Sequence, residues 1–255
     1  RKPALSNEVS RFLPSLFVVI PTYSELENLR SLIPRLENVF SSGDIDGNIL
    51  IVDDNSPDGT AEFIRRLEKE KPNIRLLLRP GKMGIGSAYR DGFNYVLKTA
   101  DVEYVSQMDA DGSHPPDLIP EMIKKLEETG ADVVVGSRKV QGGKAEGWPW
   151  RRRLTSWGAN LLARAMAGVG VKDSTSGYRT FRASALRRID FASSQAGYSF
   201  QVEMIFKCRR AGLMIVEVPF TFVDRRKGRS KLGSREIGGF AWAMVKLFLS
   251  RIGGR

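Results

Sequence analysis

The sequence predicts an α/β protein built on a mostly parallel sheet with helices on both faces. Three observations carry this. Short apolar runs alternate with amphipathic segments of helical spacing through about residue 136. The apolar runs are near-continuous rather than alternating, which is the pattern of strands buried on both faces. Polar clusters recur where these strands end, as at 22–25, 53–54 and 109–111. In such sheets ligands sit beyond the carboxyl ends of the strands.

The elements follow in order. Residues 1–14 are polar, contain Pro3 and Pro14, and read as a flexible N-terminal arm. Leu16-Phe17-Val18-Val19-Ile20 is a buried strand that Pro21 should end. Residues 25–40 place Leu29, Leu32, Ile33, Leu36 and Phe40 on one helical face. Ile49-Leu50-Ile51-Val52 is a second strand, followed at once by Asp53-Asp54-Asn55-Ser56. Residues 60–71 read as helix, and Ile74 to Leu78 as a third strand. Gly84-Ile85-Gly86 opens a helix to about Leu97. It lacks the third glycine of a dinucleotide loop, so close helix packing explains it better. Residues 102–108 form the next strand, 116–129 a helix with Pro120 near its start, and 131–136 a further strand.

Beyond residue 140 the pattern loosens. Gly142-Gly143 and Glu146-Gly147-Trp148-Pro149-Trp150 suggest a mobile loop. Residues 154–167 read as helix, 173–182 as a polar turn, 200–211 as helix, 215–218 as strand and 228–233 as a basic loop. Residues 234–255 form an amphipathic or largely apolar helix. A single α/β domain is therefore expected over 15–233.

Composition narrows the partners. With 42% hydrophobic residues the 255-residue chain can build a full core. Cys208 is the only cysteine, so no intrachain disulfide forms. Forty Lys and Arg against 29 Asp and Glu give a net charge of +11, which suits an anionic partner. Acids rather than cations hold the strand ends, and these would repel a nucleic-acid backbone. No apolar run reaches the roughly 20 residues of a membrane-spanning helix. The nearest, 240–252, is interrupted by Lys246 and Arg251.

The most informative stretch is Met108-Asp109-Ala110-Asp111-Gly112. In an extended strand residues i and i+2 face one way, so Asp109 and Asp111 are expected to converge on one hard cation. Carboxylates suit Mg2+ or Mn2+, which keep positions open for substrate phosphates. A metal-bridged pyrophosphate is a good leaving group, so the chemistry expected is displacement at a phosphate-activated carbon. His114, the sole histidine, stands before two prolines and reads as a structural group. Arg152 and Ser156 are four apart and share one helix face. Arg138, just beyond a strand, should point into the same crevice. Trp148, Trp150 and Trp157 beside Arg151-Arg152-Arg153 favour a membrane interface.

Taken together, the segments at 19–25, 52–60, 84–89, 108–115, 136–138, 176–179, 201–204 and 230–233 resemble the family-2 glycosyltransferases of GT-A fold, and within them the polyprenol-phosphate mannose synthase branch. The resemblance runs from about residue 16 to 235. It implies inverting transfer of mannose from GDP-mannose to dolichyl or polyprenyl monophosphate. It implies that Pro21, Tyr23, Glu25, Val52 and Asp54 hold the nucleoside, and that Asp109, Ala110 and Asp111 hold metal and diphosphate. Arg225 and Lys231 would bind donor phosphates from a closing loop. Arg138, Arg152 and Ser156 would take the acceptor phosphate, with Arg138 also reaching the donor and counted with Asp109 and Asp111 as catalytic. Some relatives carry Gln where this chain has Ser113, a weaker third metal ligand. A UDP-sugar donor is the alternative. The implied setting is the cytoplasmic face of a membrane, with a small membrane-spanning subunit as a further partner.

Overall fold

The computed structural model describes residues 13–194, 197, 199–223 and 234–253. The basic loop at 228–233, with Arg225 and Lys231, lies outside them, as does nearly all of the N-terminal arm.

Three parallel strands lie at one end of the main sheet. β1 (Ser15–Thr22) pairs with β2 (Asp46–Asp53), and β2 with β3 (Ile74–Leu78). The helices α1 (Leu26–Ser42), α2 (Thr60–Glu70) and α3 (Ile85–Thr99) connect and follow them. β4 (Tyr104–Gln107) pairs with β1 on its other side. A short 3-10 turn, Pro116–Leu118, leads into α4 (Ile119–Thr129) and β5 (Val133–Ser137). Next come a short strand β6 (Lys144–Glu146), α5 (Trp150–Leu162) and a π-helical turn, Ala163–Ala167. β7 (Arg179–Arg182), α6 (Ala183–Leu186), α7 (Phe200–Arg210), β8 (Ile215–Pro219), β9 (Thr221–Val223) and α8 (Ser234–Gly253) complete the chain. The sheet order is β3-β2-β1-β4-β7-β5-β8, and β6 pairs with β9 separately.

Strand alternation divides the core into two layers. Phe17, Val19, Leu50 and Val52 face α3, α7 and α8. Leu16, Val18, Ile20, Ile49 and Ile51 face α1 and α4. Gly92 lets α3 lie close on the sheet: a Cβ there would fall 2.4 Å from Val19 Cγ1.

Several expectations are corrected. Pro21 does not end β1, which runs on to Thr22. Its missing N–H costs nothing, because that edge of β1 faces β4. The β4 ladder has ended by then, its last bond running from Met108 N to Val19 O. The polar turn expected at 173–182 contains β7, which lies antiparallel between β4 and β5. The segment read as a loop at 142–150 contains β6, and α5 starts at Trp150, earlier than expected. Trp148 is 7% exposed and packs edge-to-face on Phe222, with centroids 5.4 Å apart. It is a core residue, unlike Trp150 and Trp157, which are open to solvent.

Candidate active site

Asp109 and Asp111 lie beyond the end of β4, in a turn that Gly112 closes at φ +76°. They are not successive same-face residues of a strand. Hydrogen bonds, not strand alternation, orient them. The Tyr89 hydroxyl donates to Asp109 Oδ1 at 2.9 Å. Tyr89 stacks between Phe93 and Phe200, with both ring pairs at 6.0 Å. Burial, then the Asp109 charge, pushes the Tyr89 phenol well above its usual range, so it remains a donor. Asp111 Oδ1 accepts from Ser113 N at 3.0 Å and Ser113 Oγ at 2.5 Å. Ala110 between them is buried.

His114 holds the turn from below. The Asp109 amide donates to His114 Nδ1 at 2.9 Å, so this nitrogen carries no proton. The ring stacks on Tyr178 at 4.8 Å, and burial lowers its pKa against the pull of Asp109 and Asp111. The structural reading of His114 holds. Gln107 Nε2 donates to Gly177 O at 2.9 Å and to Gln201 Oε1 at 2.8 Å. The end of β4, the Ser176-Gly177-Tyr178-Arg179 segment and the start of α7 are thereby joined behind Asp109.

Two carboxylates with a hydroxyl nearby are hard oxygen donors, which fits Mg2+ or Mn2+. Among the described residues no three His, Cys, Asp or Glu converge as a full cage. Such a set leaves coordination positions to phosphate oxygens. The Ser113 hydroxyl spends its proton on Asp111.

The expected nucleoside residues sit at the ends of β1 and β2. Tyr23 is 36% exposed, with Lys82 Nζ 4.6 Å from its ring centre. Glu25 Oε2 accepts from Asn28 at 2.6 Å. The Val52 side chain is wholly in the core, which leaves only its backbone for a ligand. Asp53 is spent on structure, accepting from Thr22 Oγ1, Ser56 N and Ser56 Oγ. Asp54 instead pairs with Arg79, whose Nε lies 2.6 Å from Asp54 Oδ1. Arg79 Nη1 also bonds Asp91 and Ser87. Burial would lower the Arg79 pKa, but the two carboxylates outweigh it. Arg79 Nη2 is buried without a partner among the described residues. Sequence reading missed Arg79, since nothing local separates it from a surface cation.

Arg138, Arg152 and Ser156 are brought to one region. Arg138 grips the fully buried Asp173, with Nε at 2.7 Å from Oδ2 and Nη2 at 2.7 Å from Oδ1. Burial would raise the Asp173 carboxyl, but the Arg138 guanidinium holds it below the usual range. The guanidinium carbons of Arg138 and Arg152 lie 5.1 and 4.4 Å from the Trp148 ring centre. They lie 5.5 and 5.7 Å from that of Phe222. Thr175 Oγ1 links Arg138 to Asn160, and Asn160 Nδ2 donates to Ser156 O at 2.9 Å. Ser156 Oγ has no partner among the described residues. Neither Asp173 nor Asn160 was singled out in the sequence. Arg179, in the missed strand β7, is fully buried, and burial lowers its pKa to about 10.

The mostly parallel sheet thus carries acids at its strand ends and an arginine-rich wall beside them. Residues 17–190 match glycosyl transferase family 2, and the chain belongs to that family. It is a glycosyltransferase. It is 42% identical over 224 residues to an undecaprenyl-phosphate mannosyltransferase of Micrococcus luteus, covering 88% of this chain and 89% of the relative. It is 38% identical over 222 residues to a polyprenol monophosphomannose synthase of Mycolicibacterium smegmatis, covering 86% and 82%. Its fold resembles that of glucosyl-3-phosphoglycerate synthase from Mycobacterium tuberculosis, solved with Mn2+ and uridine diphosphate. The TM-score is 0.65 at 21% identity, over 94% of this chain and 80% of that one. The GT-A expectation is thus borne out.

Proposed function

We propose that this protein transfers mannose from GDP-mannose to a polyprenyl monophosphate with inversion, giving polyprenyl-phosphate β-mannose. The observation that carries this is a pair of polar clusters beyond the carboxyl ends of β4 and β5. An oxygen-donor turn, Asp109 and Asp111, lies on one side, and a cation-rich wall, Arg138 and Arg152, on the other. The names of the two relatives support mannose and a polyprenyl phosphate as the transferred group and acceptor.

In this reading Asp109 and Asp111 would hold Mg2+ or Mn2+, and the ion would supply positive charge to the diphosphate leaving group. Ala110 contributes backbone beside them, and Ser113 sets the Asp111 orientation. Pro21, Tyr23, Glu25, Val52 and Asp54 form the nucleoside end. Arg225 and Lys231 bind the donor phosphates. Arg138, Arg152 and Ser156 hold the acceptor phosphate with its oxygen toward the anomeric carbon. A phosphate monoester has a second pKa of about 6, so the nucleophile is anionic at neutral pH without a protein base. The neutral, buried His114 accords with that. The protein's share is positioning and electrostatic stabilisation.

The acceptor's lipid tail calls for a membrane surface. α5 exposes Trp150, Leu154, Trp157 and Leu161 at helical spacing, and α8 exposes Trp242, Leu249 and Ile252. No described helix is long and apolar enough to cross a membrane. The protein would dock on the cytoplasmic face, directly or with a small membrane-spanning subunit against residues 234–255.

The test mixes the protein with Mn2+, a short-chain polyprenyl phosphate and radiolabelled GDP-mannose, with UDP-glucose in parallel. Label entering the organic phase from GDP-mannose alone is the expected result. Label from UDP-glucose alone overturns the sugar, and label from neither overturns the acceptor.

A further inference from the structure

Trp148 lies in the middle of the short segment between β6 and α5, and it is nine-tenths buried. Its Nε1 makes no hydrogen bond among the described residues. An orphaned buried donor costs about 1–3 kcal/mol, and indole N–H can only donate. The unpartnered Ser156 hydroxyl lies one helical turn beyond Arg152 in α5, and Arg152 packs on the Trp148 ring. A cavity of about 470 Å3 runs past Trp148, lined also by Arg138, Lys139, Lys144 and Arg153. Glu146, the one acid on its wall, is paired with Lys144 at 2.6 Å. Burial, with the charges of Arg138 and Arg153, lowers the Lys139 pKa despite Asp173. The region therefore gathers donors and positive charge, while its acid is already engaged. Such a set of donors suits a compact anion with several acceptor oxygens.

We propose that Trp148 is a direct ligand of the acceptor phosphate, its indole N–H donating to a phosphate oxygen alongside the Ser156 hydroxyl, between Arg138 and Arg152. This rests on the polyprenyl-phosphate reading and adds to it a residue that fixes the acceptor's headgroup. The cation–π contacts of Arg138 and Arg152 hold the ring in place.

Trp148→Phe keeps a ring against both guanidiniums and deletes the N–H. Hydrogen bonds to charged groups are strong enough that the KM for farnesyl phosphate should rise roughly ten- to a hundredfold. The KM for GDP-mannose should stay near wild type whatever the smaller buried ring costs in thermal stability, which a merely structural role would not predict. A second measurement uses the wild-type protein. In 15N-labelled protein, farnesyl phosphate added without donor should shift the Trp148 indole N–H resonance downfield. Phe variants of the exposed Trp150, Trp157 and Trp242 assign the remaining signals. An unchanged acceptor KM in the variant, with an unmoved Trp148 resonance, overturns the inference while leaving the polyprenyl-phosphate reading intact. Wild-type protein that neither binds nor uses farnesyl phosphate overturns both.

Discussion

The Arg138–Asp173 pair is the sharpest place to test how the acceptor side is held together. Asp173 is fully buried and Arg138 nearly so, and three nitrogens of Arg138 reach the carboxylate, the backbone N at 3.0 Å among them. Asp173→Asn keeps the shape and removes the charge. It leaves a guanidinium buried against a neutral amide that cannot accept from all three donors. Breaking a buried pair by removing one partner costs about 3–5 kcal/mol. For a chain of this size that lowers the unfolding midpoint by roughly 10 °C. Urea titration and thermal scans read the loss directly. The pH profile gives the sign. The folded pKa of Asp173 is below its unfolded value. Its contribution is therefore complete above the unfolded pKa and fades as pH falls through the folded one. Wild type should lose this increment on the acid side, and the Asn variant should have none to lose there. A variant within about 1 kcal/mol of wild type at pH 7 would refute the reasoning. It would mean that Arg138 is solvated or satisfied elsewhere.

The other expectations are brief. Asp109→Asn or Asp111→Asn should cut turnover at least a hundredfold, by analogy with loss of a charge-stabilising group worth about 2.7–4 kcal/mol. A chelator should abolish activity and Mn2+ restore it, while near-normal turnover in either variant would sink the metal-turn assignment. Gly92→Ala places a methyl 2.4 Å from Val19 Cγ1 and 3.1 Å from Val52 Cγ2. Overpacking of this kind costs about 1–3 kcal/mol, measurable as a lower denaturant midpoint. Wild-type protein should co-sediment with anionic vesicles at low salt, and Trp150→Ala/Trp157→Ala together should weaken this several-fold. Equal binding by that variant would remove α5 from the membrane surface.

The legible parts of the fold were those where burial writes a local pattern. β3 has the bounds its apolar run predicts, and α1 buries the five residues its spacing selects. β7 was hidden because only four residues form it and two are arginines. Its polar groups are satisfied at a distance, as Arg182 is by Ala131 O and Leu126 O. The acidic pair was legible as chemistry but not as geometry. The i, i+2 argument requires extended backbone, and here the strand stops at Gln107. Trp148 was misplaced because an aromatic beside arginines has the same local pattern at a membrane interface and over a buried cation–π contact.

The sequence by itself determined the α/β class, the positions of the strand ends and the residue types that meet there, because hydrophobic period and turn chemistry are local properties. Only the tertiary structure decided which charges meet. Arg79 finds Asp54 and Asp91, Arg138 finds Asp173, and Tyr89 finds Asp109 across 20 residues of chain. A side chain's partner depends on sheet order and crossover, and the desolvation that makes such pairs matter exists only once both layers of the core have closed over them.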